Sequence, residues 1–239
     1  MINLLITSGC SFTDCDYVDK WPVHLAKHLN VPLSNSGLES QGNGLISRKI
    51  IHQVTKALET IPAENLLVGV MWSGPDRHEF YLPGVAFQSD VDICKENPTR
   101  ISKETNNCWI ILNYHWENDY VKKYYSTFHD DIGSLIYTYE HILRVQWFLK
   151  LHKIKYFMTT YTNSIFPLKK SVSIHSDTRN LYNQIDFDYF LPIDGQYEWA
   201  QQSDLPFGTV DTFHPTVAHN KKFTNEIIIP FLTDKILKT

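Results

Sequence analysis

The feature that most constrains the fold of this chain is the alternation of short apolar runs with stretches of helical periodicity. Three apolar runs, INLLI (2–6), ENLLVGVMW (64–72) and KIKYFMTTY (153–161), are bounded by polar residues. Amphipathic segments separate these runs, and such an order of strand and helix is typical of βαβ units in a parallel sheet. The sequence therefore predicts an α/β fold built on a central parallel sheet.

The segments between and after these strands carry helical patterns. The expected elements are helices at 20–29, 44–58, 132–152 and 225–237 and a short extended piece at 31–36. The last helix should bend near Pro230, because proline cannot donate a backbone hydrogen bond. The helix at 132–152 should pack its apolar face on the sheet. That face would consist of Leu135, Ile136, Tyr139, Ile142, Leu143, Trp147 and Leu151.

The segment from 75 to 118 departs from this rhythm. It has mixed polarity, scattered aromatic residues, Pro83 and Pro98, and it is too long for a plain connection between strand and helix. We interpret it as an elaborated insertion with a hairpin around HEFYLPGVAF (78–87). The chain length of 239 residues predicts one domain, 1–239, that contains this insertion.

The charge distribution argues against two classes of partner. The formal net charge is −4, and the lysines and arginines are dispersed along the chain. A dispersed charge of this sign lacks the basic surface that binds nucleic acid or an anionic membrane. The sequence also lacks a basic leader and an apolar run of membrane-spanning length. We therefore predict a soluble, cytoplasmic protein with neither of these partners, and the oligomeric state stays open.

The cysteines and histidines predict no cofactor chemistry. The four cysteines, Cys10, Cys15, Cys94 and Cys108, form no CxxC pair and are expected to be free thiols. Apart from His24 and His28, the histidines outside the C-terminal motif form no HxH or HxxxH set of the kind that binds zinc. We expect neither a metal nor another cofactor.

The segment ITSGCSFTD (6–14) places small polar residues directly after the first apolar run. Glycine and serine end strands for local backbone reasons, so Ser11 is explained either as a turn residue or as a functional group. A serine just past the carboxyl end of a parallel strand lies at the rim of the sheet, where open α/β folds place their sites. Ser11 is therefore a candidate nucleophile.

A second motif, VDTFHPT (210–216), places Asp211 and His214 three residues apart. In a loop that leads into a helix, this spacing lets the carboxylate bind one ring nitrogen and direct the other outward. Such pairs also occur as simple helix caps. Together with Ser11, they suggest a Ser-His-Asp triad.

These motifs resemble those of the SGNH hydrolases, the GDSL esterase-like superfamily. GCS (9–11) resembles the family's GDS block with Cys10 in place of its aspartate, and DTFHP (211–215) resembles its final block. The stretch 21–50 is similar to a subgroup common in phage and bacterial genomes. The resemblance implies a flavodoxin-like, three-layer α/β/α sandwich, with Ser11 as nucleophile, His214 as base and Asp211 as the acid that orients it.

The resemblance also implies an oxyanion hole. The backbone N–H groups of Ser11 and of a turn residue would contribute, the turn residue being Ser40 or, as the other candidate, Gly42. The family's third block supplies an asparagine, whereas VMWSGPDR (70–77) offers Ser73 or Gly74 there. Since one oxyanion donor is worth roughly a hundred- to a thousandfold in rate, Ser73, Asn43 or Arg77 would have to substitute.

Further polar residues are candidates for substrate binding. They are Asn43, Arg77, Tyr161 and Asn163. Arg77 either binds a substrate anion or pairs with Asp76 or Glu79. Tyr161 lies just past the fourth strand, where it forms the wall of the site or takes part in it.

Ester hydrolysis is the function that these motifs favour. The substrate would be a small-molecule or glycan ester, and a carbohydrate O-acetyl group is a candidate given the family's record. A catalytically silent binding module of the same fold is the alternative, favoured by the missing asparagine. Acyl transfer through the same triad is a further alternative, distinguished from hydrolysis by its products.

Overall fold

A parallel four-stranded sheet forms the centre of the molecule. The computed structural model describes residues 1–16, 18–82, 108–114, 119–166, 176–208 and 213–237. The sheet has the order β2-β1-β3-β6, in which every neighbouring pair is parallel. Its strands are β1 (Leu4–Ser8), β2 (Leu33–Asn35), β3 (Leu66–Trp72) and β6 (Lys155–Thr160). The predicted parallel sheet is confirmed.

Helices connect and cover these strands. They are α1 (Trp21–Leu29), α2 (Asn43–Leu58), α3 (Asp119–Phe128), α4 (Asp131–Leu151), α5 (Ser176–Tyr182), α6 (Gln196–Gln202), α7 (Val217–Phe223) and α8 (Ile229–Phe231). Short 3-10 turns lie at Ala63–Asn65, Asn163–Ile165 and Phe187–Tyr189. Across the described ranges, no helix combines the length and apolar character that crossing a membrane requires.

Alternating side chains along the strands divide the core into two halves. In β1, Ile6 packs with α2 and α4 on one face, whereas Leu5 packs with α1 and the C-terminal helix on the other. Because successive strand residues point to opposite faces, a sheet covered on both sides needs apolar residues at nearly every position. The run Leu66–Trp72 is buried throughout for this reason. The three-layer sandwich is confirmed.

The longest helix has its predicted limits, but part of the predicted buried face was wrong. Trp147 is 57% exposed and Leu151 is 77% exposed. The face that packs on the core includes His141 and Gln146 instead. Gln146 can be buried because its amide both donates to and accepts from the backbone of Asp186. A polar residue with such partners occupies an interior position that periodicity assigns to an apolar one.

One half of the hairpin predicted around 78–87 is described. β4 (His78–Leu82) pairs antiparallel with β5 (Cys108–Leu112), which comes much later in the chain. The second half of the predicted hairpin, 83–87, lies outside the described residues. Residues 83–107 and 115–118 of the predicted insertion lie outside the described residues.

The C-terminal helix changes its geometry around Pro230. Wider π turns at Thr224–Ile228 and Leu232–Ile236 flank the short helix that contains this proline. Proline lacks the N–H of a regular helix and its ring crowds the preceding turn, and a π turn relieves this crowding. The helix closes the face of the sheet that α1 also covers.

Candidate active site

Ser11 and His214 lie side by side although they are 203 positions apart. The Nε2 atom of His214 is 2.8 Å from Ser11 Oγ. Both residues are partly exposed, and Ser11 follows the carboxyl end of β1. In the tautomer with its proton on Nδ1, His214 accepts the serine hydroxyl hydrogen at Nε2. This arrangement is suited to removing a proton from Ser11.

The turn that carries Ser11 is tightly packed against its surroundings. The N–H groups of Thr13 and Asp14 both donate to the carbonyl of Cys10. A Cβ added at Gly9 would lie 2.2 Å from Thr13 Oγ1 and 2.9 Å from the carbonyl oxygen of Met71. Only glycine allows this close approach, so Gly9 fixes the turn in front of the nucleophile candidate.

Asn220, which sequence reasoning missed, holds the loop that carries His214. Its Nδ2 donates to the carbonyls of Pro215 and Thr216, and its Oδ1 accepts from Trp21 N and Gln196 Nε2. The side chain is buried at the start of the C-terminal helix. No local pattern could have revealed Asn220, because two of its partners belong to α1 and α6.

His219, which sequence reasoning assigns to the surface or to packing, is buried in the interior. Its Nδ1 lies 2.8 Å from the hydroxyl of Thr216, which caps α7, and its Nε2 lies 3.1 Å from the carbonyl of Leu205. The partners of both ring nitrogens are thus provided by its own helix start and a neighbouring loop.

Asp211 belongs to 209–212, outside the described residues.

The predicted oxyanion turn is joined to the Ser11 turn. Leu38 N and Gln41 Nε2 both donate to the carbonyl of Gly9. Ser40 has a φ of 59°, in the left-handed region that favours glycine. Ser40, the first candidate for the oxyanion turn, thus has the backbone conformation of a glycine without being one.

Gly42 faces a carboxylate. A Cβ added at Gly42 would lie 2.3 Å from Glu79 Oε1, so the Gly42 backbone packs directly against this carboxylate. Gly42 thus borders Glu79, whereas Ser40 has the left-handed φ of the turn, and Ser40 is the stronger of the two candidates.

Asn43 and Ser73 are bound to each other in the interior. The Asn43 amide accepts from Ser73 N at 2.8 Å and donates to Ser73 O at 3.0 Å and to Thr138 Oγ1 at 3.1 Å. Asn43 is 1% exposed and Ser73 is 0% exposed. Neither side chain faces a cleft, so their predicted contacts with substrate and oxyanion are not supported. Asn43 instead joins the start of α2 to the end of β3.

Arg77 is the remaining polar candidate of the third block. Its Nη1 donates to Ser73 Oγ at 2.6 Å, and its guanidinium carbon lies 5.2 Å from the centre of the Tyr161 ring. Nε is buried without a hydrogen-bond partner within the described chain. Burial opposes the charge, but the neighbouring Cys10, Tyr161 and Asp76 raise the pKa of the guanidinium. A cation is thus held next to the residue that precedes Ser11.

Aromatic rings form one wall of the site. The Phe12 ring lies 5.2 Å from the rings of Tyr161 and His214 and 5.5 Å from that of Phe213. Burial raises the pKa of Tyr161 to about 12, so its hydroxyl stays protonated at neutral pH. Because its ring packs against Phe12, Tyr161 is part of the wall.

Asn163 lies two residues further along the chain. Its backbone N–H donates to Glu198 Oε1 at 3.1 Å.

A cavity of about 220 Å³ borders Asp76 and Arg77. The rings of His78, Tyr124 and Tyr137 line it, together with the first turn of α4. Within the described ranges, no three histidine, cysteine or carboxylate side chains are grouped as metal ligands would be.

Comparisons with known proteins found similar folds but no related sequence. No family model matches the chain, and no curated protein matches it. Two solved structures, from Desulfitobacterium hafniense and Veillonella parvula, are G-D-S-L family proteins with 13% and 12% identity and TM-scores of 0.48 and 0.47. They cover 93% and 97% of this chain and 96% and 98% of their own.

Proposed function

We propose that this chain is a serine ester hydrolase of SGNH type. The observation that carries the proposal is the 2.8 Å contact between Ser11 Oγ and His214 Nε2. As Oγ attacks the acyl carbonyl, His214 takes its proton and then gives it to the leaving alcohol. Water hydrolyses the resulting acyl-enzyme by the reverse sequence. Asp211 is proposed to orient the imidazole because of its place in the DTFHP motif.

The oxyanion of this reaction needs fixed donors. We assign the backbone N–H groups of Ser11 and Ser40, the latter because of its glycine-like φ. Arg77 is proposed as the third donor in place of the family's asparagine, since Ser73 and Asn43 are committed to internal hydrogen bonds. A preorganised cation near the developing charge stabilises the transition state more than the substrate.

The proposed substrate is an O-acyl ester of a small molecule or glycan. The aromatic wall around Phe12 suits an apolar acyl group or the face of a ring. The cavity next to Arg77 combines aromatic rings with hydroxyl and imidazole groups, as binding sites for small molecules commonly do. A carbohydrate O-acetyl group remains the leading candidate.

An active-site serine probe tests the nucleophile. A fluorophosphonate should label the parent protein, and the label should disappear in Ser11→Ala and in His214→Gln. Ser126→Ala, which changes an exposed serine on α3, is the matched control and should be labelled like the parent. Labelling that survives in Ser11→Ala would contradict the assignment.

A catalytically silent binding module is the second candidate. The internal hydrogen bonds of Ser73 and Asn43 favour a binding module. Because of these bonds, neither side chain is available in place of the asparagine that serves as the third oxyanion donor in the SGNH family. Absence of labelling in the parent between pH 6 and 9 would support this module. If the parent hydrolyses p-nitrophenyl acetate, Arg77→Met should lower kcat by about a hundredfold with little change in KM. A raised KM with unchanged kcat would instead make Arg77 a substrate-binding residue.

A further inference from the structure

A carboxylate from β4 is buried against the first turn of α2. Glu79 is 4% exposed, and its carboxylate packs against the backbone of Gly42 and Gly44, where Oε1 has no hydrogen-bond partner within the described chain. Tyr137 from α4 donates its hydroxyl hydrogen to Glu79 Oε2 at 3.4 Å. Gly42 is the N-cap of α2 and has no side chain with which to cap the helix. Glu79 therefore places a carboxylate, from another element, at the N-terminus of α2, where the helix dipole favours a negative charge.

The backbone of this turn is shaped to receive the carboxylate. A Cβ added at Gly44 would lie 2.8 Å from Glu79 Oε2 and 2.0 Å from Tyr137 Oη, and one added at Gly42 would lie 2.3 Å from Glu79 Oε1. The two glycines of the Gly42–Gly44 segment thus leave the space that Glu79 and Tyr137 fill. The carboxylate packs on the backbone directly, without an intervening side chain.

This contact connects β4 to the proposed oxyanion turn. Ser40 precedes the N-cap of α2 by two residues, so a shift of the first turn of the helix moves the Ser40 N–H as well. We propose that Glu79 is a positioning residue whose negative charge holds the Ser40–Gly42 turn in the geometry that stabilises the oxyanion. This inference rests on the proposed esterase function, and Glu79 acts through the turn without touching the substrate.

The charge on Glu79 changes near neutral pH. Burial raises the pKa of Glu79 to about 7, whereas the backbone N–H groups of Leu45 and Gly42 and the charge of Arg48 favour the carboxylate. Titratable groups lie around it on every packed element: Arg48 and Lys49 on α2, Tyr124 and Tyr125 on α3, Tyr137 and His141 on α4, and His78 on β4. The carboxylate that binds the turn is thus fully formed only above about pH 7.

Glu79→Gln tests the proposal, because glutamine has the shape of the protonated acid and no charge. The ratio of parent to variant kcat on p-nitrophenyl acetate should be near one at pH 5.5 and rise to about tenfold at pH 8.5, with KM unchanged. Any ionisation that affects both proteins equally cancels in the ratio. Glu59→Gln, at the other end of α2, is the matched control and should give a ratio of one throughout.

Two further measurements keep the proposal falsifiable if Glu79→Gln folds poorly or the parent hydrolyses no ester. Tyr137→Phe removes one hydrogen bond that favours the Glu79 carboxylate. The pH at which kcat reaches half of its maximum should therefore be higher in this variant than in the parent. Amide hydrogen exchange of residues 40–46 at pH 8.5 should be faster in Glu79→Gln than in the parent, while the second half of α2 is unchanged. A ratio independent of pH, or equal exchange in this segment, would overturn the role of Glu79. If Ser11 is not labelled but amide exchange of residues 40–46 is faster in Glu79→Gln than in the parent, the esterase function is refuted and the role of Glu79 in holding the turn is not.

Discussion

Ser40 carries a side chain in a backbone conformation that glycine adopts without strain. Its φ of 59° is one of three positive values among the described non-glycine residues. A left-handed conformation costs an L-residue about 1 kcal/mol or more. The turn keeps this conformation because Leu38 and Gln41 are hydrogen-bonded on either side of it to Gly9 and to each other's backbone.

We expect Ser40→Gly to remove this strain and Ser40→Ala to keep it. The Ser40 hydroxyl is lost in both variants, together with its 3.4 Å contact from Asn113 Nδ2, so their difference isolates the backbone term. The glycine variant should be more stable than the alanine variant by about 1 kcal/mol in urea unfolding. Both should retain esterase activity, because the proposed donor is a backbone N–H. An equal stability of the two variants would contradict the strain.

At the scale of elements, the first turns of two helices hold the two halves of the site. The start of α2 is joined to the end of β3 through Asn43 and Ser73. The start of α7 is joined to α1 and α6 through Asn220. Each asparagine joins neighbouring elements through both ends of its amide, which donates at Nδ2 and accepts at Oδ1. Such a two-ended link fixes both the distance and the relative orientation of the elements.

Asn220→Ala should lower both stability and activity. The variant removes four hydrogen bonds and leaves buried partners unsatisfied, so we expect the free energy of unfolding to fall by about 2–4 kcal/mol. Because the Pro215 carbonyl is released, kcat should fall more than KM changes. Thr233→Ala, on an exposed part of the same C-terminal helix, is the control and should change stability by less than about 0.5 kcal/mol.

Local patterns predicted the sheet and its long helices because burial repeats every second residue in strands and every third or fourth in helices. They failed for Trp147, since a helix that is apolar on several sides does not reveal which side packs. They failed for β5, because nothing local joins Cys108–Leu112 to His78–Leu82. The contact of Ser11 with His214 was predicted from the position of Ser11 after a strand, the spacing of Asp211 and His214, and the family motifs. The Asn43–Ser73 pair could be predicted from neither the local patterns nor the motifs.

At the scale of the whole molecule, two buried groups give stability an opposing dependence on pH. The pKa of Glu79 is raised by burial from 4.5 to about 7, so the stability present below pH 4.5 is lost as pH rises through 7. The pKa of His141 is lowered from 6.5 to about 3, chiefly by burial. The unfolded chain therefore binds a proton below pH 6.5 that the folded chain does not, and stability falls as pH decreases.

A variant that removes one of these groups separates the two effects. We expect the free energy of unfolding of Glu79→Gln, minus that of the parent, to rise by about 1–3 kcal/mol from pH 4.5 to pH 8. Urea unfolding at several pH values measures this difference, in which the contribution of His141 cancels. At high pH, Glu79→Gln should thus be more stable relative to the parent than at low pH, although its kcat is lower there. A variant that is less stable than the parent at pH 8 by a constant amount would contradict the burial cost.

The two-stranded ribbon has a consequence for how such chains vary. The pairing of Leu82 with Cys108 holds the two ends of the ribbon side by side, while Glu79 pairs with Ile111 near its other end. Lengthening a connection closed in this way costs only about 0.6 kcal/mol for each doubling. Insertions, deletions and wholesale exchange between Leu82 and Cys108 are therefore compatible with an unmoved Glu79.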